Sequence, residues 1–174
     1  MLRVFPVVMI VIAAVGAITP QDSSYRSLLL SAADSALVEF EAGRFWHAAR
    51  MLREQNAATG KPEDVLLLAR AEAGWGNWSA VAELLDGAEW LPGESGAIGL
   101  YLLGRAWEAR GEWAEAAESY SRYVDLSSSG TTRHHASIVR WTRSLWKSGE
   151  REASFIALHN SGSSRSVRVQ HIHL

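Results

Sequence analysis

The fold of this chain is decided by residues 98–126, which read IGLYLLGRAWEARGEWAEAAESYSRYVDL. On both sides of Gly111, apolar residues recur in steps of three and four, which predicts two amphipathic helices. These positions are Leu100, Leu103, Ala106 and Trp107 before the glycine, and Trp113, Ala116, Ala117, Tyr120 and Val124 after it. Gly111 suits the left-handed conformation that ends a helix, so it predicts the turn between the two. Two short antiparallel helices cannot bury both apolar faces alone, so the pair predicts further copies of itself.

The same pattern occurs three more times along the chain. Segments beginning at Gly43, Gly76 and Gly149 resemble the one beginning at Gly111, and these glycines are 33, 35 and 38 residues apart. Such a period is typical of solenoids built from helical hairpins. The sequence therefore predicts an all-α fold, an α-solenoid of about four antiparallel helix hairpins.

The small and aromatic positions of these copies resemble those of the tetratricopeptide repeat (TPR) family. The third copy has Gly104 and Trp107 at the small and aromatic positions of its first helix, and Ala116 and Tyr120 at those of its second. The other copies have, at the two small positions, the pairs Ala36 and Ala48, Ala69 and Val81, and Thr142 and Ser154. Small side chains there let the helices of a hairpin approach closely. The resemblance covers residues 22–159 and implies a right-handed superhelix that binds a protein or peptide in its groove.

The chain also departs from the family pattern. Glu39 and Glu72 occupy the aromatic position of the first helix in the first two copies. Ser128 stands where the third copy would have its closing proline.

Composition limits the possible functions. The formal net charge of −2 argues against a general nucleic-acid binder, and the lack of cysteine excludes disulfides and thiolate metal sites. Residues 34–126 carry 16 acidic and 8 basic side chains, whereas residues 127–174 carry 7 basic and 2 acidic ones. The two ends of the solenoid should therefore differ in electrostatic potential, which could steer a partner. Solvated faces of unequal charge are the alternative explanation.

Residues 1–17 have the pattern of a secretory signal peptide. Arg3 precedes an apolar run from Val4 to Val15, and small residues at Val15 and Ala17 predict cleavage before Ile18. The run is shorter than the roughly 20 residues of a membrane-spanning helix. We therefore expect a periplasmic or secreted bacterial protein, with an uncleaved membrane anchor as the alternative.

No catalytic, cofactor or metal site is predicted. The histidine pairs at 134–135 and at 171 and 173 are the only metal-like spacings, and no Asp, Glu or Cys follows Leu158 to complete a shell around the second pair. Glu94 and Ser95 form a pair that bacterial lytic transglycosylases use in a catalytic motif, but the following residues do not continue that motif. The chain is therefore expected not to be an enzyme.

Polar residues on the first helices of the hairpins are the predicted partner-binding residues, since these helices line the groove of such a solenoid. They are Arg70, Arg105, Glu108, Arg140 and Arg143. Arginine suits carboxylate recognition because its planar fork forms two parallel hydrogen bonds. The resulting hypothesis is an exported, non-enzymatic scaffold that binds a protein or peptide.

An alternative hypothesis follows from a more remote resemblance. A signal peptide followed by a helical superhelix also resembles the N-terminal part of bacterial soluble lytic transglycosylases. This chain would then be a truncated or diverged relative that binds peptidoglycan.

The last predicted helix, residues 150–158, has two apolar faces. One face, expected to pack on Trp141 and Leu145, consists of Ala153, Ile156 and Ala157. The other consists of Phe155 and Leu158, and no repeat follows to cover it. We expect a second copy of the chain or a separate partner to cover this face. Alternatively, the tail of residues 160–174, which is expected to be mostly disordered, folds back over it.

Overall fold

The computed structural model describes residues 34–170, and within this range it leaves out the side chains of residues 56–59 and 161–170. The predicted signal peptide, its cleavage site and residues 22–33 of the predicted repeat region lie outside the described residues. The histidines at 171 and 173 do so as well.

The described part of the chain consists of helices joined by turns and short loops. The first helix, α1, covers residues 34–41, and a short 3-10 helix, Ser95–Ala97, precedes α5. The other α-helices are α2 (Phe45–Thr59), α3 (Pro62–Gly74), α4 (Trp78–Leu85), α5 (Ile98–Arg110), α6 (Trp113–Leu126), α7 (Thr132–Ser148) and α8 (Arg151–Gln170). No strand occurs between residues 34 and 170, which confirms the predicted all-α class. In the same range, no helix is both long and apolar enough to cross a membrane.

The glycines that define the repeat period lie in the turns after α1, α3, α5 and α7. Gly111 ends α5 with φ of 80°, and Gly149 ends α7 with φ of 98°. At Gly111, the backbone N–H groups of Gly111 and Glu112 donate to the carbonyls of Glu108 and Trp107. A residue with a Cβ would be strained in this left-handed conformation, which is why glycine marks each turn.

Each helix from α2 to α8 packs on its neighbours in the chain, and α3 also contacts α5. The predicted small residues lie where helices meet. Ala36 and Ala48 share one fully buried cluster, and Ala69 and Val81 share another. In the last pair of helices, the Ser154 hydroxyl donates to the backbone carbonyl of Thr142 at 2.9 Å. These three pairs, chosen from the sequence for close helix approach, are therefore buried together or hydrogen-bonded to each other.

The buried core is thick in the middle of the chain and thin at its C-terminal end. The central cluster joins α3, α4, α5 and α6, and its fully buried members include Leu85 and Leu100. The C-terminal cluster has three buried residues, Ala117, Leu145 and Ala157, with Trp141 and Ala153 packed against them. Because apolar burial is the main stabilising term, the described part of α8 contributes less to the core than the central helices do.

Two predictions about α8 differ from the structure. Ile156, expected in the buried face, is 54% exposed. The stripe of α8 that packs on α7 is centred on Ala153 and Ala157, so Ile156 lies at its solvent edge. The helix also runs to Gln170, beyond the predicted end at residue 158.

Candidate partner-binding site

Four of the five predicted partner-binding residues come together where α5, α6 and α7 meet. On α5, Arg105 and Glu108 are three residues apart and therefore lie on one side of the helix. On α7, Arg140 and Arg143 have the same spacing and approach Glu108 from the other side. Arg70 lies elsewhere, with its guanidinium 4.9 Å from the ring centre of Phe40 on α1.

The carboxylate of Glu108 is the centre of this site. Its Oε2 accepts hydrogen bonds from the hydroxyl of Tyr120 at 2.9 Å and from Nη1 of Arg140 at 2.5 Å. Its Oε1 lies 3.2 Å from Nη1 of Arg143. The Glu108 side chain is only 10% exposed, so these three partners replace most of its water. One carboxylate thereby ties α5, α6 and α7 together.

The position of Tyr120 follows from a glycine on α5. Its ring is fully buried and packs directly against Gly104, where a Cβ would come within 2.7 Å of the ring. This close approach carries the hydroxyl through the α5–α6 contact as far as Glu108. Burial, and next the charge of Glu108, raise the pKa of Tyr120 well above its ordinary value, so the phenol stays protonated and donates.

This arrangement also keeps the side chain of Arg140 protonated. Burial is the largest single effect and tends to lower the pKa of Arg140, but the combined effects of Glu108, Tyr120 and Tyr101 exceed it and leave the pKa raised. Arg143 is more accessible, with 57% of its side chain exposed. Arg140 therefore keeps its full charge, and Arg143 retains access to solvent.

Two further arginines lie against aromatic rings near this site. The guanidinium of Arg105 lies 4.7 Å from the ring centre of Trp78, and that of Arg133 lies 5.8 Å from the ring centre of Tyr101. Among the described side chains, neither has an ion-pair partner. Tyr101 in turn contacts the ring of Tyr120, with the ring centres 6.1 Å apart. Arg133 therefore borders the Glu108 site through these tyrosine rings, and Arg105 lies near enough for its charge to act on Tyr120.

We call this group the arginine cluster: Arg105, Arg133, Arg140 and Arg143 around Glu108. It carries four positive charges against one negative charge, although the whole chain is acidic with a formal charge of −2. Guanidinium groups held against aromatic rings or a carboxylate lose little further freedom when they bind a ligand. The cluster is therefore suited to binding carboxylates.

Sequence reasoning overlooked Arg133 and the two tyrosines of this site. A signal was present on α7, because Arg133, Arg140 and Lys147 are seven residues apart and lie on one helical face. On α5, Tyr101, Arg105 and Glu108 follow the i, i+4, i+7 spacing of one face. Only the structure shows that these two faces meet.

A second buried carboxylate, Glu72, has a different setting. Its side chain is completely buried, and its Oε2 accepts hydrogen bonds from Trp75 Nε1 at 3.1 Å and Asn77 Nδ2 at 2.8 Å. Its Oε1 lies 2.6 Å from Nη2 of Arg53, in an ion pair that lacks hydrogen-bond geometry. All its partners belong to α2 and to the turn after α3, so Glu72 fastens that turn and is closed to a ligand.

The histidine pair on α7 is also accounted for by local contacts. Nδ1 of His134 lies 2.8 Å from the Ser127 hydroxyl, and its backbone N–H donates to the Thr131 side chain that caps α7. Burial, followed by the neighbouring His135, lowers the pKa of His134, which keeps the ring neutral near pH 7. Among the described residues there is no group of three or more possible metal ligands.

No protein-family model matches the chain, and no curated protein matches it either. Its function is therefore inferred from the arginine cluster and the helices that hold it.

Proposed function

We propose that this chain is an exported, non-enzymatic scaffold of the TPR-like kind that binds an acidic protein or peptide. In this proposal the helices form hairpins that stack as a right-handed superhelix. The partner lies across the first helices of these hairpins, chiefly α5 and α7. The sequence features in support are the repeat period, the small residues at the helix contacts and the secretory signal pattern.

The observation that carries the proposal is the excess of positive charge in the arginine cluster. Arg140 and Arg143 share the single carboxylate of Glu108, while Arg105 and Arg133 lie over aromatic rings. A partner carboxylate can bind a guanidinium through two parallel hydrogen bonds, and such bonds are shorter and stronger than neutral ones. An acidic segment therefore supplies the charge that the cluster lacks.

The aromatic rings beside the arginines strengthen this interpretation. Interfaces are enriched in arginine and tyrosine at the positions that contribute most to binding. Tyr101 and Trp78 hold Arg133 and Arg105 in place and also offer flat apolar surface next to the charges. A peptide that combines acidic and apolar side chains therefore fits the site better than a uniformly acidic one.

The test is a binding measurement with fluorescently labelled ten-residue peptides, one rich in glutamate and leucine and one rich in lysine and leucine. The glutamate peptide should bind, and Arg105→Gln/Arg133→Gln should weaken it by about tenfold or more, since hydrogen bonds to charged groups contribute about 1.5–3 kcal/mol. The matched control is Arg50→Gln/Arg110→Gln. These two arginines also lie over tryptophan rings, at 5.8 and 4.9 Å from the ring centres of Trp46 and Trp107.

Equal binding of both peptides, or equal losses in the test and control variants, would contradict the proposal. Purified peptidoglycan sacculi separate it from the alternative of a lytic-transglycosylase relative. If the wild type sediments with sacculi and binds neither peptide, the cell-wall alternative replaces the scaffold proposal.

A further inference from the structure

Helix α7 differs in charge from the other α-helices of the described residues. It is the one among them without an aspartate or glutamate, and its cations are Arg133, Arg140, Arg143 and Lys147. Their spacing of seven, three and four residues places all four along one face of the helix. We call these four side chains the cation row. Among the described side chains, no carboxylate forms an ion pair with Arg133 or Lys147, so the two ends of the row keep unbalanced charge.

The first half of the cation row lies against α5. The guanidinium of Arg133 is 5.8 Å from the ring centre of Tyr101, and Arg140 forms its ion pair with Glu108. Tyr101 and Glu108 are themselves seven residues apart on α5. Cations and contact groups therefore repeat together along the two helices, at about 10 Å, the rise of seven helical residues.

The second half of the cation row lies against the start of α6. Nζ of Lys147 and the guanidinium of Arg143 are 6.0 and 5.8 Å from the ring centre of Trp113, the first residue of α6. From its first to its last cation the row spans about 20 Å of α7. It therefore runs along the side of α7 that faces the preceding hairpin and has an aromatic ring at each end.

A pair of exposed apolar side chains lies beside the cation row. Val139 and Trp146 are 63% and 47% exposed and are seven residues apart on α7. The ring of Trp146 meets that of Phe155 on α8 edge to face, with centres 6.0 Å apart, and Phe155 is 64% exposed. The open face of α7 therefore has a cationic edge toward α5 and an apolar edge toward α8.

We infer that the acidic partner binds α7 as an amphipathic helix whose carboxylates, seven residues apart, face the cation row. This inference rests on the proposed function and specifies the conformation of the partner. A helix lying along α7 has the same rise per residue, so its carboxylates at i, i+7 and i+14 match the spacing of the cations. Its adjacent edge then places apolar side chains on Val139 and Trp146, as amphipathic helices do in grooves.

An extended strand does not fit this spacing. Side chains on one face of a strand are two residues apart, which gives repeats of about 7 and 13 Å. Neither repeat matches the interval of about 10 Å between successive cations of the row. The spacing along α7 therefore favours a helical ligand over a strand.

Glu108 determines which ligand positions contribute most. Its carboxylate already pairs with Arg140 and Arg143, so a ligand carboxylate at the middle of the row also meets a negative charge. Arg133 and Lys147 have no carboxylate opposite them among the described side chains. The two outer carboxylates of the ligand, fourteen residues apart, should therefore contribute more to binding than the middle one.

The test uses three labelled peptides made of glutamate, leucine and alanine. In the first, three glutamates are seven residues apart. In the second, of identical composition, they are five residues apart and so point in different directions around a helix. The third is the first with its central alanine changed to proline, which breaks a helix but is tolerated in a polyproline II conformation. The first peptide should bind about tenfold more tightly than either of the others, because only it presents all its carboxylates on one helical face.

Variants of the protein locate the ligand on the cation row. Arg133→Gln and Lys147→Gln should each weaken the first peptide by about fivefold, the upper range for an exposed ion pair. Removing the glutamate at one end of the peptide should abolish the effect of one variant and leave that of the other. The matched control is Arg110→Gln, because Arg110 also lies over a ring, 4.9 Å from the centre of Trp107, but is outside the row. Circular dichroism melting shows whether each variant is folded.

Equal binding of the first and second peptides, or undiminished binding of the proline peptide, would overturn the inference and leave the proposed function standing, since an acidic peptide would still bind. Equal affinities of folded Arg133→Gln, Lys147→Gln and Arg110→Gln would also overturn it. If none of the three peptides binds, the proposed function fails and the inference fails with it.

Discussion

The α3–α4 and α5–α6 pairs have the same repeat pattern and use it for different purposes. In the first pair, Ala69 and Leu85 occupy the small and large positions, and both are buried in an entirely apolar contact. In the second pair, Gly104 and Tyr120 take those positions. The loss of a methyl group on one helix makes room for an aromatic ring on the other, and the ring brings a hydroxyl to Glu108. Two differences between the copies, at the small and the large position, thus create a polar site at the contact between α5 and α6.

The buried carboxylates of these pairs differ in the same way. Glu72 is enclosed by the turn that follows its own helix and by Arg53 of the preceding one. Glu108 instead reaches across to α6 and α7, where Arg143 remains more than half exposed. A carboxylate satisfied within its own turn stabilises the fold, whereas one shared between helices organises a surface. Three predictions test this distinction.

The largest expected effect is the loss of Glu72. Glu72→Ala removes a completely buried carboxylate together with the hydrogen bonds that it accepts from Trp75 and Asn77 and its ion pair with Arg53, which should lower the free energy of unfolding by about 3 kcal/mol. Glu108→Ala should cost about half as much, since Arg140 and Arg143 are partly exposed and can be hydrated. Urea denaturation followed by circular dichroism measures both. A larger loss for Glu108→Ala than for Glu72→Ala would contradict the contrast between the two carboxylates.

The next effect concerns the contact between Gly104 and Tyr120. A Cβ at residue 104 would lie 2.7 Å from one ring carbon of Tyr120 and 2.8 Å from another, and the ring is fully buried. Gly104→Ala should therefore destabilise the protein by about 1–3 kcal/mol through overpacking.

The double variant Gly104→Ala/Tyr120→Leu recreates the residues found at Ala69 and Leu85. It should be more stable than the sum of the two single changes predicts, by about 1 kcal/mol. Simple additivity would show that the α5–α6 contact does not depend on matching these two positions.

The smallest effect is that of the Tyr120 hydroxyl. Tyr120→Phe should lower stability at neutral pH by about 1 kcal/mol, the value of one hydrogen bond. Burial, and next Glu108, raise the pKa of Tyr120 in the folded state, while the unfolded chain keeps the ordinary tyrosine pKa of about 10. Below pH 10 the phenol is protonated in both states, so the wild-type advantage is complete there.

As the pH rises above 10, the unfolded state loses this proton and the folded state keeps it. The wild type should then lose about 1.4 kcal/mol of stability per pH unit relative to Tyr120→Phe, so its advantage should vanish near pH 11. Stability curves of both proteins between pH 8 and 11 measure this difference. A constant difference across that range would contradict the raised pKa.

Local pattern was sufficient to predict most of the secondary structure. The two helices predicted on either side of Gly111 match α5 and α6, and the turns after α3, α5 and α7 fall at the expected glycines. These features depend on spacing and on the left-handed conformation of glycine, both of which are local. Near Ile156 the same reasoning was wrong, because the width of a buried stripe depends on which helices lie beside it. Among the described helices, α8 packs substantially only against α7, and α7 does not cover the side chain of Ile156.

Only some residues of the candidate site could be predicted from the sequence. Arg105, Glu108, Arg140 and Arg143 were identified as polar residues on the first helices, and the structure brings them together. Arg70 was identified by the same criterion and lies apart from them, against Phe40. Nothing in helical spacing separates Arg70 from the others, since each is a polar position on an amphipathic helix.

The sequence by itself determined that this chain forms short amphipathic helices joined at glycine turns, with small residues where helices touch. Those properties follow from side-chain size, apolar spacing and backbone freedom, which are local to each segment. Only the tertiary structure decided that Tyr120 reaches Glu108 and that arginines from α5 and α7 surround this carboxylate. The residues of that cluster are up to 38 positions apart, from Arg105 to Arg143, and their meeting depends on how α5, α6 and α7 pack against one another.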